Sequence, residues 1–149
     1  MSRDEIISLS KLCGTDGYPS KAGENFIAAM RQMPVEEWDL ELTVAFVKAA
    51  NTTRCCYSFE HLHECLASKA QDGAANYDWN FMMANILYNL QSEECVIYMR
   101  QAVVLAGGNP DIDYERTFTV AWEKIVANRG DELTDEELLA LYIKENPQT

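Results

Sequence analysis

The chain is poor in bases. Its 149 residues hold 12 Lys and Arg against 24 Asp and Glu, a formal net charge of −12. A field of that sign repels nucleic-acid phosphate and anionic lipid, which argues against direct nucleic-acid binding and against attachment to a membrane surface. Basic proteins are the partners it favours, and solubility is the other effect of the same charge. Long apolar runs are missing as well. None approaches the roughly 18 residues that span a bilayer. The first residues, "MSRDEIISLSKLCG", carry Asp4 and Glu5 and no continuous apolar stretch, so they do not read as a secretory signal.

The motifs of common chemistry are absent too. The chain has no Gly-rich phosphate loop, no dinucleotide-binding glycine fingerprint, no H-E-x-x-H zinc helix and no G-x-S-x-G nucleophile turn. "DGYPSKAGE" places Ser20 beside Lys21, but in a helix-capping position. "NPDIDYE" starts like a calcium loop, yet no Gly stands at its sixth position and no Glu at its twelfth. Cysteine is scarce and odd in number, five in all, and no C-x-x-C occurs. At least one thiol therefore stays unpaired within the chain. A chain this long needs no disulfide staples, so the expected setting is a reducing, cytoplasmic one. No cofactor and no metal are expected.

What is present is helical periodicity, with no convincing strand alternation. An apolar fraction of 48% in 149 residues suits one self-sufficient domain over 1–149. Helices are expected over Asp4–Leu12 and Ser20–Met33, the latter with Phe26, Ile27 and Met30 inward. "MPVEEWDLELTVAFVKAAN" predicts a third, with Pro34 at its first position and Val35, Trp38, Leu42, Ala45, Phe46 and Ala49 on one face. A fourth spans Tyr57–Gln71. "YDWNFMMANILYNLQ" is apolar almost all round and should be the centre of the core, through Trp79, Phe81, Met82, Met83, Ile86, Leu87 and Leu90. Ser92 should cap the sixth helix, which has Glu93 and Glu94 in its first turn, runs through Val96, Ile97, Met99 and Val103 and stops at "GGNP". Asp113 should cap a seventh, carrying Tyr114, Phe118, Ala121, Trp122, Ile125 and Val126 on one face. Thr134 and Glu137 form a capping box for an eighth, and residues 146–149 should fray. The expected fold is an all-α, compact bundle of seven to eight helices. Stacked helical hairpins are the alternative, since pairs begin near Ser20, Tyr57 and Ser92 at a step of about 36 residues. The tetratricopeptide signature residues are missing.

"CCYSFEHLHEC", Cys55–Cys65, gathers both histidines and three of the five cysteines. At about 100° per residue, Phe59, Leu62, Leu66 and Ala70 point to the core while His61 and His63 flank that face on opposite sides. One helix cannot close both imidazoles on one ion. His61 and Cys65, at i and i+4, supply at most half of a tetrahedral zinc site. As a thiol–imidazole nucleophile the pair lacks an orienting group and a neighbouring Gly-rich turn. The expected role is the edge of a helical core.

The acids, by contrast, come in groups. Glu36, Glu37, Asp39 and Glu41 form one and Glu93 with Glu94 another. Asp111, Asp113 and Glu115 form a third, and Asp131, Glu132, Asp135, Glu136 and Glu137 a fourth. Each lies near a helix N-terminus, where the dipole favours negative charge. The same surface suits docking to a basic partner, which charge complementarity would attract and select. Small acidic helical proteins without catalytic motifs include immunity proteins, antitoxins and phage anti-defence proteins, some of which mimic DNA. By analogy with that class, the expected function is non-catalytic binding and inhibition of a basic protein, including proteins that handle nucleic acids. A helical adaptor that grips a peptide in a groove is the second expectation. A thiol- or metal-dependent protein built on His61 and Cys65 is the third.

Overall fold

The computed structural model describes residues 1–13, 15–16, 20–52 and 57–108. The helices expected from Asp113 and from Thr134, the acids Asp111, Asp113, Glu115, Asp131, Glu132, Asp135, Glu136 and Glu137, the thiols Cys55 and Cys56, and the tail 146–149 lie outside these residues. The described chain is helical, with no strand: α1 (Arg3–Lys11), α2 (Lys21–Arg31), a single 3-10 turn (Val35–Glu37), α3 (Leu40–Thr52), α4 (Phe59–Ala67), a short α5 (Ala70–Gly73), α6 (Tyr77–Asn89) and α7 (Cys95–Leu105).

Three helices start on the same device. Ser2, Ser20 and Ser58 each sit in extended backbone, and each hydroxyl accepts the N–H three residues on, from Glu5, Gly23 and His61. Asn76 does the same for Trp79 at the head of α6. Each cap satisfies a donor that the helix itself cannot, worth about 1 kcal/mol. At α2 the cap is itself held. Ser20 is buried, and its hydroxyl donates to Asp16 Oδ1 at 2.7 Å while Asp16 Oδ2 accepts the Ala22 N–H at 3.0 Å. These bonds, the serine's first, pull the Asp16 carboxyl below its ordinary range.

The third helix corrects the sequence reading. Pro34 does not begin it. Pro34 (φ −56°, ψ 138°) instead precedes the 3-10 turn, and α3 starts six residues after it, at Leu40, behind Asp39. Asp39 Oδ1 accepts the Leu42 N–H at 2.9 Å, and the Asp39 carbonyl accepts both the Thr43 N–H at 3.0 Å and the Thr43 hydroxyl at 2.8 Å. Two start signals compete in "MPVEEWDLEL", and the carboxylate cap wins the α-helix. Val35, expected inward, is therefore 58% exposed, whereas Trp38 still reaches the core and donates its indole N–H to the Met33 carbonyl at 3.2 Å.

The fourth helix is also shorter than expected. It ends at Ala67, where the Ser68 hydroxyl turns back onto the Cys65 carbonyl at 2.6 Å. Such back-bonding competes with helix continuation, and Lys69 (φ −113°, ψ 18°) then separates α4 from the one-turn α5. Leu62 and Leu66 are buried as expected, but Ala70 lies beyond the break and is exposed, and Phe59, in the first turn, is 37% exposed.

α6 is the helix wrapped by others, as its sequence demands. Trp79, Phe81, Met82, Met83, Ile86 and Leu87 are all buried, with Leu90 at the edge of the core. Burial of each large side chain contributes about 1.5–3 kcal/mol relative to exposure. The helix ends in a Schellman motif: the Ser92 N–H reaches the Leu87 carbonyl at 2.9 Å and the Gln91 N–H the Tyr88 carbonyl at 3.0 Å, with Gln91 at φ 58°. α7 ends the same way through Gly107 (φ 86°), as "GGNP" predicted. Its start is a loose turn in which Ser92 Oγ accepts the Glu94 N–H at 3.3 Å, so Glu93 and Glu94 stand just ahead of the helix. Ile97 is 64% exposed, while Ala102 and Val103 are sealed.

α3 packs against α1, α2, α4 and α6, and α6 against α3, α4 and α7. A single apolar cluster joins α1, α2, α3, α4, α6 and α7. Partners are mostly near one another in chain order, a pattern that stacked hairpins also produce.

Candidate functional site: an acidic edge and a histidine–cysteine pair

The packing of α1 on α3 brings their N-terminal ends together. Arg3, in the first turn of α1, donates from Nε to Asp39 Oδ2 at 2.6 Å. Its guanidinium also lies 3.4 Å from Glu41 and 3.6 Å from Asp4. Three carboxylates, one from the neighbouring residue and two from the start of α3, thus surround one cation. Burial works against the Asp39 anion. The Arg3 bond, the Leu42 N–H and the charges of Arg3 and Lys69 outweigh it and hold the carboxyl below its ordinary range. The Arg3 guanidinium, bonded to Asp39 and facing both acids, is correspondingly harder to deprotonate.

Of the acids expected to meet a partner, Asp39 is already engaged, capping α3 with one oxygen and holding Arg3 with the other. Glu36 and Glu37 stand exposed on the 3-10 turn, and among the described residues neither takes part in an ion pair. Glu41 is 63% exposed despite its contact with Arg3. Glu93 and Glu94 are exposed at the head of α7, and no ion pair among the described residues joins them to Arg3. Sequence reasoning grouped Glu36–Glu41 from their spacing but missed Arg3 and Asp4. A basic residue in the first turn of a helix, against the dipole, was the available signal.

The second feature is the pair on α4. Cys65 Sγ lies 3.8 Å from His61 Nε2, as the i, i+4 spacing predicted, and His63 is directed elsewhere on the helix. The His61 ring stacks on Tyr57 with centroids 5.3 Å apart and planes at 15°. Tyr57 in turn meets the buried Phe46 edge-on at 5.1 Å, and Phe46 meets Trp38 at 4.8 Å. Burial, with the Glu64 carboxylate beside it, pushes the Cys65 thiol above its ordinary range. That is the opposite of what activates a nucleophilic cysteine. Among the described residues no three His, Cys, Asp or Glu side chains converge as a metal site would require, and no helix there is long and apolar enough to cross a membrane.

Comparison with protein-family models, with curated proteins and with solved structures found no match to this chain.

Proposed function

We propose that the protein is a non-catalytic binding module whose acidic edge, at the N-terminal ends of α1 and α3, docks onto a basic protein. The observation that carries this reading is the convergence of Asp4, Asp39 and Glu41 on Arg3, with Glu36 and Glu37 exposed on the adjoining turn. Helix-dipole complementarity accounts for one acid at each helix start. It does not require Glu36 and Glu37, which lie in a 3-10 turn too short to carry a helix dipole. Asp39 and Arg3 act as the frame that fixes the edge, and Glu36, Glu37 and Glu41 are the side chains offered to a partner. An inhibitor or neutraliser of a nucleic-acid-handling protein in a reducing compartment fits this charge pattern, because such proteins present cationic grooves.

The test starts from the protein that co-purifies with the tagged chain in its native host. Affinity for that partner is then measured for the natural chain and for the Glu36→Lys, Glu37→Lys, Glu41→Lys triple variant, at low and at raised salt. The variant leaves Asp39 and hence the α3 cap intact, so its melting curve should match the natural one. Weaker binding and a flatter salt dependence are expected. Equal affinity at both salt levels would sink the proposal.

The chain-order packing of α1 to α7 supports a second reading, a stack of helical hairpins that grips a peptide. It predicts partner binding that is insensitive to salt and to the triple reversal.

A further inference from the structure

We draw no further inference here: the strongest candidate, the apolar outer face of α7 with Ile97, Val104 and Leu105, carries nothing, because nothing among the described residues shows what covers it.

Discussion

Gly73→Ala is a small change with a large expected effect. A Cβ built at Gly73 lies 2.4 Å from Cγ and Cδ2 of Trp79 and 2.7 Å from its Cδ1. Ordinary carbon contacts begin about 1 Å further out. The indole has nowhere to go: it is 3% exposed, its N–H donates to the Leu66 carbonyl at 2.8 Å, and Tyr98 abuts it at a centroid distance of 5.6 Å. The backbone of Gly73 is pinned as well. Its N–H binds the Lys69 carbonyl at 2.8 Å, and its own carbonyl accepts from the Asn76 N–H at 2.8 Å and from Asn80 Nδ2 at 3.3 Å. Overpacking a fixed site costs about 1–3 kcal/mol, and a strained or broken indole bond adds about 1 kcal/mol or more. Alanine returns about 1 kcal/mol through helix propensity. The net expectation is a loss of about 2 kcal/mol. Urea unfolding followed by circular dichroism should show a midpoint lowered by about 1 M at unchanged slope. In a Trp79→Leu background the penalty should largely vanish, because the clash partner is gone. A Gly73→Ala protein as stable as the parent would refute the reasoning, as would the same penalty in both backgrounds.

Gln91 holds φ 58° at the end of α6, a conformation that costs an L-residue about 1–2 kcal/mol and glycine little. After the entropy glycine adds to the unfolded chain, Gln91→Gly should raise stability by about 0.5–1 kcal/mol, and a lower unfolding midpoint would contradict the Schellman assignment. Asp39 has a folded-state pKa below its unfolded value of about 3.9. Its contribution is therefore present above that pH and is lost as pH falls through the folded value. Asp39→Asn, which keeps an oxygen for the α3 cap, should flatten the loss of stability below about pH 4, and parallel acid-unfolding profiles for the two proteins would refute this.

The fold was legible where side-chain chemistry and periodicity agreed. The Ser20 cap, the all-round apolar α6 and the glycine stop of α7 each follow from a residue type with one strong local preference, whereas Ser92, expected to cap α7, stands two residues ahead of its N-cap Glu94. Reading failed where two preferences competed within a few residues. Pro34 and Asp39 both start helices, and it is the Asp39 cap on Leu42 that starts the α-helix and leaves a 3-10 turn behind Pro34. At Ser68 a hydroxyl redirected the chain with no Gly or Pro to announce it. Val35 fits an apolar stripe yet faces outward, because periodicity says which residues share a side and not which neighbours arrive to cover it. The acidic group at Glu36–Glu41 was legible for the same local reason as the caps. Its tie to Arg3 was not, since it depends on α1 crossing α3.

That α3 and α6 draw their neighbours mostly from adjoining stretches of chain has a kinetic consequence. Few long loops must close before native contacts begin to favour the folded state. Helical domains of this kind fold in about microseconds to milliseconds, so the order of assembly can follow the order of the sequence, with the α1–α3 layer able to form before α6 and α7 settle on it.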